Sequence, residues 1–224
     1  VIFQRFLILW IIVMPKEYPN RITPITPDEA TRAMSVAYRE VTGKVPTPEI
    51  LGLLIGQWAL ETGNGKSVHN YNFGNKKASG ADDYQFFRCS EVENGVEVFY
   101  DPPHPACKFA AYPNATAGAR AFIELLKRRP HWWKGLHTGT VPGFIEGLTT
   151  APAYFTASPS HYQKVLGERM RNYADLALKY SKPSLTTSAV VFGAALGLGT
   201  IYLAMRTKPE LFPKRYRLER ILPS

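Results

Sequence analysis

From residue 26 to residue 61 the apolar positions recur at helical spacing. "TPITPDEATRAMSVAYREVTG" predicts a helix with Thr26 as N-cap and Pro27 at its first position. "VPTPEILGLLIGQWALET" repeats the signal: Thr47 caps, Pro48 follows, and Glu49 favours the first turn. Ile50, Leu51, Leu53, Leu54, Ile55 and Trp58 nearly encircle this second helix, so it is expected to be central and buried. Over 84–112 the pattern shortens. "YQFFRC", "VEVFY" and "CKFAAY" are aromatic and β-branched runs broken by "ENG" and "DPPHPA", and they predict strands. Helical character returns in "NATAGARAFIELLKRR", "VPGFIEGL" and "SPSHYQKVLGERMRNYADLALKY". The expected class is α+β, mainly α, with one small β element.

Two apolar runs frame this core. Residues 183–205, "PSLTTSAVVFGAALGLGTIYLAM", hold no charge and are long enough at about 1.5 Å per residue to cross a hydrocarbon core of about 30 Å. This segment is expected to be a transmembrane helix in the lipid bilayer. The tail at 206–224 carries six basic and two acidic residues, which points it towards the cytoplasm by the positive-inside rule. Gly193 and Gly197 form a GxxxG through which two such helices would pack as a homodimer. The opening run "VIFQRFLILWIIV" is short for a span and contains Gln4 and Arg5. It reads equally as a signal-like leader, part of an anchor, or residues outside the working protein, since Met14 opens a more ordinary sequence. The organisation expected is a leader over 1–22, a catalytic core over 23–180, the span at 183–205 and the basic tail.

Composition adds a sign to the partner. The net charge of +9 on 224 residues suits an anionic partner such as nucleic acid, anionic lipid or cell-wall polymer, and equally suits plain solubility. No phosphate loop or dinucleotide fingerprint is present, and the histidines show no HExxH spacing. Cys89 and Cys107 are placed to pair across the β element or to remain reduced. With His104 they lack an evident fourth zinc ligand, and no metal or other cofactor is expected. Asn114 begins a glycosylation sequon, which a helix N-terminus explains better. The rings of "PHWW" at 130–133 suit sugar stacking or, more commonly, core packing.

The strongest chemical signal is "ALETGNGKSVHNYNFGNK", residues 59–76. Glu61 falls where a buried helix runs into a polar loop. The negative end of the helix dipole and apolar surroundings both disfavour a charge there and push a carboxyl pKa upward. A carboxyl kept protonated beside a polar loop is what a general acid requires. Gln57 lies one turn earlier on the same face, within reach of it. The plain alternative is a terminal glutamate that reaches water.

The residues around Glu61 resemble the glucosaminidase family of peptidoglycan hydrolases, the group related to the flagellar muramidase domain. In that family A-L-E-[ST]-G-x-G-x-S is followed by N-x-F-G-x-K, and residues 59–67 and 72–76 match. "SEVENG" at 90–95 resembles the family's T-E-Y-x-N-G hairpin. "KFAAYPNATAGARAFIELL" resembles its F-R-x-Y-x-[ST] segment, and "AYFTASPSHYQKVL" its Y-A-T-D-x-x-Y-x-x-K segment. Four segments in this order span about residues 25–178. The resemblance implies a lysozyme-like fold, a helical lobe and a small β-hairpin lobe across a groove. It implies a glycoside hydrolase acting on the β-1,4 bonds of the peptidoglycan glycan strand, of N-acetylglucosaminidase type. By position, Glu61 matches the general acid, Glu91 the second carboxylate, Tyr154 a groove tyrosine, and Asn72, Phe73 and Gly74 the substrate-binding turn beneath the sugar site. The partner implied is the glycan strand and not nucleic acid.

Three positions depart from the family pattern. Asn64 stands where an aromatic is usual, Asn75 where isoleucine is usual, and Ala153–Tyr154 lacks the usual glycine. They bear on which bond is cut. The alternatives are a lytic transglycosylase on the same scaffold, an inactive wall-binding tether, and a holin-like membrane protein. With the tail inside, the catalytic core would face the wall, from a bacterial inner membrane or from a virus that carries its own membrane.

Overall fold

The computed structural model describes residues 14–93, 96–150 and 158–182. The transmembrane expectation at 183–205 with Gly193 and Gly197, the basic tail, Tyr154 and residues 1–13 lie outside them. Among the described residues no helix is long and apolar enough to cross a membrane.

The two threonine–proline signals begin the first two helices. Helix α1 (Pro27–Thr42) starts in a capping box. The Thr26 hydroxyl accepts from the Glu29 amide, and the Glu29 carboxylate accepts from the Thr26 amide. Gly43 in the left-handed region closes it. Helix α2 (Pro48–Glu61) is capped by Thr47, and every residue from Ile50 to Ala59 is buried. It is the axis of the core.

The β residues form two separate two-stranded ladders among the described residues, where the sequence led us to expect one element. Strand β1 (Tyr84–Phe86) pairs antiparallel with β4 (Lys108–Ala110), Gln85 opposite Phe109. Strands β2 (Cys89–Glu93) and β3 (Val96–Tyr100) pair as a hairpin, Glu91 opposite Val98. A short 3₁₀ turn, Pro105–Cys107, leads into β4.

Helix α3 (Ala115–Lys127) starts at Asn114, whose side chain accepts from the Ala117 amide, so the sequon serves as a cap. Then come α4 (Pro130–Leu136), α5 (Val141–Thr149), α6 (Pro159–Asn172) and α7 (Ala174–Tyr180). The last two were read as one helical stretch; the chain breaks it at Tyr173. Helix α4 contains the "PHWW" rings. Trp132 is buried and Trp133 stacks on Tyr38 at 6.1 Å, so this pair packs the core.

Helix α1 packs on α3, α4 on α5, and α6 and α7 on α2. Gly52 and Gly56 set the last approach. A Cβ at Gly56 would stand 3.0 Å from Leu166, and one at Gly52 would stand 3.1 Å from Met170. The glycines thus let α6 lie close along α2. Residues 16–22, read as leader, fasten onto the β region: Tyr84 bridges Glu17, and His69 bridges Ile22. The described elements form one compact unit that closes at Ser181.

Candidate functional site

Helix α2 ends by design of its sequence. The Thr62 hydroxyl donates back to the Trp58 carbonyl at 2.7 Å and accepts from the Gly65 amide at 3.0 Å. Gly63, Asn64 and Gly65 follow with φ of 57°, 60° and 85°. Gly65 is obligatory, because a Cβ there would lie 2.1 Å from the Ile25 carbonyl oxygen. This turn stops the helix with Glu61 as its last residue.

The Glu61 carboxylate is largely enclosed. Its Oε1 accepts from Gln57 Nε2 at 3.0 Å, the contact the one-turn spacing led us to expect. Tyr162 of α6 donates to the same oxygen at 3.4 Å. Asn75 Nδ2 donates to the Glu61 main-chain carbonyl at 3.0 Å and so caps the helix end. Burial raises the Glu61 pKa above the ordinary glutamate value, while the Tyr162 hydroxyl and the Asn75 and Gln57 amides pull back only part of the shift. Tyr162 is held neutral by burial first and by the neighbouring carboxylate second.

The acid opens onto a groove of about 660 Å³. Gly74, Asn75, Lys76 and Lys77 form one side; Leu125 of α3, Arg128 and Arg129 between α3 and α4, and Trp132 of α4 form the other. Glu61 is the one carboxylate among the described lining residues. The remaining site expectations fall in different places. Gly74 lines the groove. Asn72 and Phe73, expected to bind substrate, are buried and so shape the floor from beneath. Phe73 packs on Trp58 with ring centroids 5.9 Å apart, and the Asn72 amide donates to the Lys76 and Ala110 carbonyls. Glu91, expected as the second carboxylate, sits on β2 outside the lining and pairs at 2.7 Å with Lys77, which does line the groove.

The family departures have local uses. Asn75 holds φ 45° and Asn64 φ 60°, a left-handed conformation that asparagine tolerates and a β-branched residue does not. Asn64 Oδ1 also accepts from the Tyr173 hydroxyl at 2.7 Å. Cys89 and Cys107 are free thiols with their sulfurs 3.8 Å apart.

Sequence reading missed Tyr162, Lys77, Arg128 and Arg129. Tyr162 had a signal: it shares the i, i+4, i+8 stripe of Leu166 and Met170, the face that packs on α2.

No protein-family model and no curated protein matches the chain. Solved structures do. A peptidoglycan hydrolase mutant from Sphingomonas sp. A1 superposes with a TM-score of 0.53 at 22% identity, covering 69% of this chain and 97% of that one. The catalytic domain of the autolysin Auto from Listeria monocytogenes follows with a TM-score of 0.49 at 18% identity, over 70% of this chain and 89% of that one. The glycoside hydrolase domain of Salmonella typhimurium FlgJ gives 0.46 at 20% identity, over 75% and 98%. The chain shares its fold with the Sphingomonas peptidoglycan hydrolase.

Proposed function

We propose that the chain is a glycoside hydrolase that cuts β-1,4 bonds in the glycan strand of peptidoglycan, of N-acetylglucosaminidase type. One observation carries this: a carboxyl of raised proton affinity, held by Gln57 and Tyr162, faces an open groove of a size for a sugar chain. The fold shared with a peptidoglycan hydrolase supports it. Glu61 gives its proton to the leaving glycosidic oxygen as that bond breaks. Glu91 serves as the second carboxylate and orients the water that supplies the new hydroxyl. The apolar run 183–205 anchors the enzyme in a membrane with the core on the wall side, a placement that also suits a membrane-carrying virus.

A second reading has its own observation. Glu61 alone among the described groove residues is a carboxylate, which favours a lytic transglycosylase. There the substrate's own hydroxyl displaces the leaving group, no water enters, and the product ends in an anhydro sugar.

The experiment is to incubate the full chain with purified peptidoglycan beside Glu61→Gln and weigh the fragments. Reducing N-acetylglucosamine ends from the first protein alone are expected. Anhydro ends would transfer the site to the second reading. Binding without fragments from either protein would make the chain a wall tether.

A further inference from the structure

The groove at Glu61 does not stop at the acid. Lys76 and Arg128 also line a second cleft of about 560 Å³, which continues past Tyr112, Asn114, Thr116 and Arg120. The cations along this path fall into two kinds. Lys76 is tied to Asp82, Lys77 to Glu91, and Arg120 to Glu40. Arg128 stands at the junction of the two clefts and has no ion pair or side-chain hydrogen bond among the described residues. Glu124, one turn earlier on α3, lines the second cleft without pairing to it. Arg129 beside it rests over the Trp132 ring at 5.6 Å and lines only the Glu61 groove. The second cleft also carries Asp82, which is held by Lys76, so Arg128 is the cation there that no carboxylate neutralises among the described residues. An unpaired guanidinium where two clefts meet is arranged for an anionic group on a ligand that branches.

A peptidoglycan strand has such a branch. Its sugars are linked in line, and short peptides bearing carboxylates leave the strand sideways. A straight sugar chain fills one groove and gives a cation at its fork nothing to pair with. A guanidinium takes a carboxylate through two parallel N–H donors, which fixes orientation as well as charge. We propose that Arg128 binds a carboxylate of the peptide that branches from the glycan strand, and that the second cleft receives that peptide. The inference rests on the peptidoglycan reading and names the part of the substrate that sets its register on Glu61.

The test reads binding, so that it does not depend on cleavage. Soluble peptide-bearing glycan fragments are titrated into the full chain carrying Glu61→Gln, with and without Arg128→Gln. The same fragments are then used after chemical amidation of their carboxylates. Arg128 is exposed and in no ion pair among the described residues, so its substitution is expected to leave folding intact, which a circular dichroism melt verifies. The expected result is a loss of about tenfold in affinity for the native fragments on removing Arg128, the size of one charge-assisted hydrogen-bonded pair, and no loss for the amidated ones. Equal losses on both fragments, no loss on either, or no binding of native fragments by the Arg128-bearing chain would each overturn the subsite. A wild-type chain that binds in this way yet releases no fragments would remove the hydrolase reading and keep the subsite.

Discussion

At the scale of single residues, Glu61 sets function against stability. Burial raises its pKa in the folded chain above that of the unfolded chain. The folded state therefore holds the proton more tightly. The stability this contributes is complete below the unfolded value, near pH 4.3, and is lost as pH rises through the folded value. Above that point the fold carries a largely enclosed carboxylate with no cation paired to it among the described residues. Glu61→Gln is expected to raise the melting temperature at neutral and alkaline pH, with the gain shrinking towards about pH 4. Calorimetry across that range checks it; a gain independent of pH would locate the effect in packing instead. In the proposed mechanism the same proton governs rate. A general acid works only while protonated, so kcat/KM falls as pH rises through the raised pKa. Gln57 donates to the charged form and holds that pKa down. Gln57→Leu removes the donor at similar volume, and the alkaline limb is expected to move to higher pH. A move to lower pH would show that the amide is turned over, offering the proton of a neutral Glu61 its Oε1, which has no partner among the described residues.

At the scale of elements, what was legible depended on sequence distance. Threonine–proline caps lie within four residues of the helices they start, so both ends could be read without the fold. Glu61 and Gln57 were legible for the same reason, being one turn apart on one helix. Tyr162 reaches the acid from 101 positions away, and only packing decides that α6 arrives there. The split of the β residues into two ladders was hidden likewise, because β1 finds its partner across the whole β2–β3 hairpin. Asn72 and Phe73 were placed in the turn beneath the sugar site by motif position, which carries no burial; the contact of the Trp58 and Phe73 rings and the Asn72 amide bonds show how that turn is packed. Packing of α3 against that turn relies on Gly74, where a Cβ would stand 2.7 Å from the Phe122 ring, and more strictly on Gly118. A Cβ on Gly118 would stand 1.8 Å from the Tyr71 carbonyl oxygen, and backbone cannot yield there as a side-chain tip can. Gly118→Ala is expected to cost about 3 kcal/mol of unfolding free energy, despite alanine's better helix propensity. Denaturant unfolding measures it. A neutral or stabilising result would mean that the loop at Tyr71 moves away from α3 at little cost.

At the scale of the molecule, the acid and its proposed partner carboxylate belong to parts of unequal rigidity. Glu61 ends a helix buried along ten consecutive residues, Ile50–Ala59. Glu91 belongs to a hairpin that pairs with no third strand among the described residues and leaves Val96 and Phe99 exposed at 63% and 58%. Such a ribbon is marginally stable alone and opens at lower free energy than the core. What ties Glu91 beside the groove is Lys77, and both side chains of that pair are more than two-fifths exposed. An ion pair so open to solvent contributes at most about 1 kcal/mol, which a bound sugar chain readily outweighs. The pair is therefore no obstacle to the hairpin closing on a substrate. If Glu91 orients the water, Glu91→Gln is expected to lower kcat by about a hundredfold with KM little changed, the range for loss of one acid–base group. Lys77→Met, which frees Glu91 without removing it, is expected to lower kcat by far less. Product masses from Glu91→Gln complete the argument. Full activity with anhydro ends would show that Glu61 works without a second carboxylate, and the hairpin would then be a wall of the groove and no part of its chemistry.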